Sequence, residues 1–291
     1  MGLAFVVMWS SAFTSARIIV ADAPPLSALS LRFLISGLIA VLLAVMQGQS
    51  FRLTRAQWSA TVVFGICQNG LYLGLFFVAM QWIGAGLAAI IASAMPLVVA
   101  FLSWVFLKER VGWAGVIGLI AGFGGVALIM SGRVSTQSVA PFGLVICGIG
   151  VLALAVATML VRGATSGGNI IMIVGLQMLI GSAALSIPAL LTETFVVDWS
   201  PTLVLAFAYT ILVPGLLATW VWFRLVGRIG STNAATFHFL NPFFGVAIAA
   251  IILAEQFGWR DMVGVVIITA GILAVQLTKP ASRLHEPASR P

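Results

Sequence analysis

Charge is what this sequence has least of. Asp, Glu, Lys and Arg make up 7% of its 291 residues, against roughly a quarter in soluble domains, and that scarcity excludes a water-soluble globular chain. Cysteine is rare as well. Cys67 and Cys147 both fall inside apolar runs, so they read as small core residues and not as a disulfide framework, and no redox compartment follows from them. There is no HExxH, no GxSxG and no Walker GxxxxGKS/T, the spacings that zinc hydrolysis, serine nucleophiles and phosphate cradling require. No catalytic residue, metal site or cofactor is expected. The net charge of +7 has no soluble basic face on which to gather, so nucleic acid is not an expected partner.

What is present is apolar length. Hydrophobic residues are 62% of the chain, in runs of about 20 residues, enough to cross roughly 30 Å of hydrocarbon. Short polar breaks predict ten helices, at 1–20, 26–46, 58–81, 85–107, 112–131, 141–162, 168–191, 202–226, 231–254 and 259–278. The first run lacks a basic leader and a cleavage site before a soluble domain, so it reads as a span rather than a signal peptide. With the N-terminus in the cytoplasm, the inner loops and tail hold Arg52, Arg55, Lys108, Arg110, Arg162, Arg224, Arg228, Lys279, Arg283 and Arg290. The outer side holds only Arg17, Arg133 and Arg260. This asymmetry puts both termini inside by the positive-inside rule. The segment 280–291, with PASR twice, is expected to be a disordered cytoplasmic tail.

The chain also repeats itself. A shift of 146 aligns Gly84 with Gly230, Pro96 with Pro242, Glu109 with Glu255, Trp113 with Trp259 and Gly125 with Gly271; a shift of 145 pairs Arg17 with Arg162. Each copy holds five spans, an odd number, so the second must cross in the opposite sense. Inverted repeats are a hallmark of secondary transporters, whose site near mid-membrane faces each side in turn. LKERVGW at 107–113 and LAEQFGW at 253–259 fit this reading: Lys108 and Arg110 stand at the inner surface, and Ala254 and Gln256 replace them at the outer one. The expected domains are a first repeat at 1–135, a second at 136–279 and the tail.

Trp9-Ser10-Ser11, Leu31-Arg32-Phe33, Ala94-Met95-Pro96 followed by LKER, Leu240-Asn241-Pro242 followed by LAEQ, and glycine-rich fifth and tenth spans together resemble the EamA-type members of the drug/metabolite transporter superfamily. The resemblance covers residues 1–278. It implies ten transmembrane helices in an all-α membrane protein, built as two inverted five-helix repeats around a central cavity lined mainly by spans 1 to 4 and 6 to 9. It also implies small metabolites as substrates, often moved outward.

Polar groups inside spans are costly and point to function. Gln68, Asn69 and Tyr72 in span 3 share a helical face, with Phe76 one turn on; they read as a cavity face or as interhelical glue. In span 9, His238 and Asn241 share a face, and Ser93 and Met95 stand in the equivalent place in span 4. Pro96 and Pro242 each remove a backbone donor near mid-span and break the helix. Trp9 and Phe13, four apart in span 1, could form an aromatic wall. Trp220 and Trp222 point to different faces of span 8, so at most one serves the cavity; Trp220 is taken. Arg32 lies close enough to the outer boundary to snorkel, with a structural role weighed against substrate binding. Gly118 and Gly122, and Gly264 and Gly271, are read as helix packing.

No aspartate or glutamate lies well inside a span. Without a membrane carboxylate to carry protons, facilitated diffusion is the leading mechanism, and antiport through His238, whose free pKa is near 6.5, is second. A bare cation would find no buried counter-charge, whereas a zwitterion with an apolar or aromatic side chain suits amides, hydroxyls and rings. This is similar to the YddG-like amino-acid exporter branch. The expected partners are a small-molecule substrate and the lipid bilayer of the cell (inner) membrane; a monomer suffices, and the sequence leaves the oligomeric state open.

Overall fold

The computed structural model describes residues 1–108, 112–135, 140–160, 169–222, 224–225, 228–229 and 237–278. The expected tail at 280–291 lies outside them. Among the described residues all regular structure is helical, as a chain immersed in lipid requires, because a helix satisfies its own backbone donors and acceptors.

The helices run in chain order as α1 (Gly2–Asp22), α2 (Pro25–Met46), α3 (Arg55–Phe64, Gly65–Tyr72 and Leu73–Ala79, continuous), α4 (Ala85–Ser93 and Met95–Leu107), α5 (Trp113–Ser135), α6 (Pro141–Leu160), α7 (Ile170–Thr192), α8 (Pro201–Trp222), α9 (Asn241–Leu253) and α10 (Trp259–Thr278). Eight of them are long and apolar enough to cross a membrane; α5 and α9 contribute shorter apolar stretches, Trp113–Ile129 and Asn241–Leu253. Their outward faces carry exposed Leu38, Leu42, Ile120, Leu190 and Ile251, side chains that lipid tails solvate and water would not.

The start of α3 lies at Arg55, earlier than expected, because Thr54 and Gln57 form a capping box: Gln57 N–H donates to Thr54 Oγ1 at 3.2 Å and Thr54 N–H to Gln57 Oε1 at 2.9 Å. This pair satisfies two donors that the helix ladder leaves open. Acids cap helices from other elements. Glu193, just past α7, accepts from the N–H groups of Leu26 and Ser27 at 2.7 and 2.8 Å. Glu255, just past α9, accepts from Ala85 at 2.6 Å and Gly86 at 3.1 Å at the start of α4. Each carboxylate meets the positive end of a helix dipole, and with Asp22 and Asp198, whose backbones bond at 2.9 Å, they mark an acidic end of the bundle.

Helices α2 and α7 pack together, as do α5 and α10. In the second pair glycine meets backbone: a Cβ on Gly118 would come 2.7 Å from the Gly271 carbonyl, and one on Gly271 would come 2.6 Å from the Gly118 carbonyl. Such small residues allow the close approach that drives helix association in lipid. In the first pair, Ser30 Oγ donates to the Ser182 carbonyl at 3.0 Å and Ser182 Oγ returns a bond to the Ser30 carbonyl at 2.9 Å. The main core includes Leu29, Phe33, Phe76, Phe77, Leu87 and Ile90 from α2, α3 and α4 and extends to residues of the later helices, among them Cys147, Leu185, Val246 and Ile268.

Three irregularities interrupt these rods. The first is a pair of wide helical turns, Gly65–Tyr72 in α3 and Ile211–Leu217 in α8; in the second, Pro214 has no N–H to give the regular ladder. The second is a pair of breaks. Helix α4, a single span expected to break at Pro96, stops at Ser93 and restarts at Met95, just before that proline; α9 starts at Asn241, with Pro242 next, after a single tight turn at Phe237–Leu240. The third is a pair of left-handed residues, Lys108 (φ 52°) and Ala254 (φ 53°), which end α4 and α9.

Candidate functional site

The break before α9 sets four rings together. His238, in the tight turn, faces Phe5 at 5.2 Å and Trp9 at 6.1 Å, both edge-on, and Trp222 at 5.1 Å between ring centroids. Phe5 also stacks against Trp222 at 4.9 Å and Trp9 at 5.6 Å. Phe5 and Trp9 are one turn apart on α1 and so share a face; Trp222 comes from the far end of α8. Around them pack Val6, Ala218, Val221, Leu240 and Phe244.

Asn241 adds polarity. Its side-chain nitrogen lies 3.0 Å from His238 Nδ1, so the amide and the imidazole occupy one another. The amide oxygen is buried and has no hydrogen-bond partner among the described residues, while the Asn241 backbone carbonyl accepts from Ser10 Oγ at 3.4 Å. A buried acceptor left open costs about 1–3 kcal/mol, which makes this oxygen a place for a donor from elsewhere. Thr14 Oγ1, one turn past Ser10 on α1, is buried and open in the same way.

The remaining expected residues divide. Phe13 lies 6.1 Å from Phe76, which in turn lies 4.7 Å from Tyr72, so these rings join the core instead of the His238 cluster. Gln68, Asn69 and Tyr72 do not act as one face, because the wide turn alters the spacing on which that grouping relied. Asn69 is buried and donates to the Gln177 carbonyl of α7 at 2.9 Å, which is interhelical glue; Gln68 stays half-buried. Ser93 donates to the Ala89 carbonyl of its own helix at 2.6 Å, and Met95 packs half-buried against the core. Trp220 is 49% exposed, with the Arg224 guanidinium 4.9 Å over its ring; it lies outside the cluster, and Trp222 holds the place assigned to it. Pro96 and Pro242 sit at the two breaks.

Sequence reasoning missed Phe5 and Trp222. The signal available for Phe5 was its place one turn before Trp9. For Trp222 there was only the choice between two tryptophans on a helix whose both sides are apolar.

A second concave feature opens at the acidic end, a cavity of about 540 Å³ lined by Arg17, Asp22, Gly84, Thr202, Glu255 and Gln256 among others. Arg17 donates to the Met80 carbonyl and Asp22 accepts from Ser200 at 3.1 Å. Helices α1, α8 and α9 contribute to both features. Asp22 lies thirteen residues beyond Trp9 on α1, about 20 Å along the axis. Among the described residues no group of three or more His, Cys, Asp or Glu could hold a metal ion.

Comparison with known proteins shows the family and the fold. The sequence matches the EamA-like transporter family over residues 1–131 and again over 141–277. It is similar to the uncharacterized transporter YvbV of Bacillus subtilis, 30% identical over 97% of this chain and 92% of that one. It is also similar to the uncharacterized inner membrane transporter YedA of Escherichia coli K12, 24% identical over 95% and 89%. A solved crystal structure shares the fold with a TM-score of 0.65 over 95% of this chain and 96% of the other, at 19% identity.

Proposed function

The chain belongs to the EamA-like transporter family, and from that premise we propose that it moves aromatic and other hydrophobic amino acids, or zwitterions like them, across the cell membrane by alternating access. As a multi-pass membrane transporter it has a small-molecule substrate and the lipid bilayer as partners; what we add is the substrate class, the two-fold architecture and the mechanism.

One observation carries the reading: the irregularities recur at the repeat spacing. The wide turns begin at Gly65 and Ile211, the prolines that follow the breaks are Pro96 and Pro242, and the left-handed residues are Lys108 and Ala254, each pair 146 positions apart. Regular apolar helices resemble one another by chance, but departures from regularity do not fall in register by chance. This supports two five-helix halves of opposite orientation, 1–135 and 136–279, with ten spans in all and both termini on the basic, cytoplasmic side. Two such halves can rock about a site between them without rearranging either one.

The ring cluster supports the substrate class. Phe5, Trp9 and Trp222 offer faces and edges to an apolar or aromatic side chain, and the open Asn241 oxygen accepts from an ammonium. Facilitated diffusion fits the surroundings of His238, where among the described residues the polar neighbour within hydrogen-bond reach is an amide and not a carboxylate.

The test uses purified protein in liposomes. Labelled phenylalanine or methionine should equilibrate, saturably, with no ion gradient imposed. Uptake that appears only with a pH gradient and collapses with an uncoupler would replace facilitation by antiport through His238; no saturable flux of either amino acid overturns the substrate class.

A further inference from the structure

Arg32 is a buried charge with no carboxylate among the described residues to balance it. Its residue is 7% exposed, so it does not snorkel to the surface. Among the described residues its buried Nε has no hydrogen-bond partner, and neither has Ser36 Oγ one turn on. The ring of the adjacent Phe33, 5.2 Å from the guanidinium carbon, is its recorded neighbour, and among the described residues no carboxylate pairs with it. An uncompensated buried charge is one of the costliest things a span can hold.

Ser36 Oγ and one arm of the Arg32 guanidinium, Nη2, both lie beside Gly215 in the wide turn of α8. A Cβ built there would lie 3.4 Å from Ser36 Oγ, 4.0 Å from Arg32 Nη2 and 3.1 Å from the Thr210 carbonyl. The other half of the molecule fills the corresponding place. By the repeat, Gly215 corresponds to Asn69, Arg32 to Gln177 and Ser36 to Gly181. There the Asn69 side chain occupies the space left by Gly181 and donates to the Gln177 carbonyl at 2.9 Å. In the α2–α8 niche no side chain stands at the glycine, and among the described residues the donors Arg32 Nε and Ser36 Oγ have no hydrogen-bond partner.

We propose that Arg32, Ser36 and the Gly215 backbone form an anion subsite that receives the carboxylate of the transported solute. The inference rests on the reading of the chain as an amino-acid transporter and adds how the substrate's negative end is held. A guanidinium binds a carboxylate through two parallel hydrogen bonds, and a neighbouring hydroxyl adds a third donor. Gly215 and Trp222 lie seven residues apart on α8, about 10 Å along its axis. One helix therefore contributes both to the Arg32–Ser36 niche and to the apolar cluster.

The test measures thermal unfolding of the purified full-length protein with three probes: 3-phenylpropionate, which keeps the carboxylate, phenethylamine, which lacks it, and phenylalanine. Phenylpropionate and phenylalanine should raise the unfolding midpoint of the wild type more than phenethylamine, whose ring and ammonium find only the ring cluster and the Asn241 oxygen. Arg32→Gln and Gly215→Asn, the second rebuilding the filled arrangement of the other half, should weaken apparent binding of both acids about tenfold or more, with Arg32→Lys in between. Equal stabilisation by phenethylamine, or no response of the wild type to either acid, overturns the subsite. Should Arg32→Gln fail to fold, Gly215→Asn and Ser36→Ala decide the matter with the charge in place, and unchanged acid binding in both overturns it. Labelled phenylalanine uptake in liposomes, run on the same variants, separates the two readings. Unaltered uptake in Arg32→Gln and Gly215→Asn removes the subsite and leaves the transporter of amino acids standing. Arg32-dependent binding of phenylpropionate without any phenylalanine uptake supports the subsite and removes the amino-acid reading.

Discussion

Two tryptophans, two positions apart on α8, have opposite surroundings. Trp222 touches Phe5 and His238, and Trp220 is half-exposed under Arg224. Trp222→Ala is expected to cut phenylalanine uptake about tenfold or more, since aromatic contacts in a closed cluster each contribute about 0.5–1.5 kcal/mol beyond their buried area. Trp220→Ala is expected to stay within about twofold of wild type, as single exposed positions usually do. Initial rates in liposomes, with folding checked by thermal unfolding, decide between them, and equal losses in the two variants would mean that the ring cluster is not the site. The sequence could not separate the pair, because amphipathicity is the signal that orients a helix in water and lipid removes it by making both faces apolar. The same limit hid Phe5. His238 and Asn241 were legible because a polar side chain in hydrocarbon needs a reason wherever it points.

Legibility changes at the level of the helix. The spans were readable from composition, since crossing hydrocarbon demands a length of apolar chain and little else, and the breaks were readable because proline removes a donor that nothing else can supply. The wide turn of α3 was not, because one extra residue in a turn leaves no mark in composition, yet it takes Asn69 out of the face it was expected to share with Gln68 and Tyr72 and sends it to Gln177. Glycine packing was legible and has a measurable consequence. A side chain on Gly271 would run into the Gly118 carbonyl and the Gly122 backbone, neither of which can rotate away as a side chain can. Gly271→Leu should therefore separate α5 from α10 and cost at least the 1–3 kcal/mol typical of overpacking, seen as a lowered unfolding midpoint. Because among the described residues neither helix contributes a side chain to the ring cluster, the protein that still folds should keep its affinity for phenylalanine. A loss of affinity at unchanged stability would show that the pair does more than brace the bundle.

Across the whole molecule, the cavity at the acidic end and the ring cluster lie at different depths along α1, and α8 and α9 contribute to both. A carrier working by alternating access must change the width of that cavity during each cycle, whereas a channel or a static receptor need not. Ala21 on α1 and Gln256 just past α9 both line the cavity and are exposed, and neither supports the ring cluster. In a background with Cys67 and Cys147 replaced by serine and alanine, Ala21→Cys together with Gln256→Cys can be bridged by a short bifunctional thiosulfonate. Bridging should stop exchange of labelled phenylalanine, a reductant should restore it, and a single-headed reagent at the same two cysteines should leave most of the flux. The contrast between the two reagents matters because either could crowd the cavity but only the bridge fixes its walls. Exchange at full rate with the bridge in place would require solute to pass without relative motion of α1 and α9, and a rocking two-half carrier could not explain that.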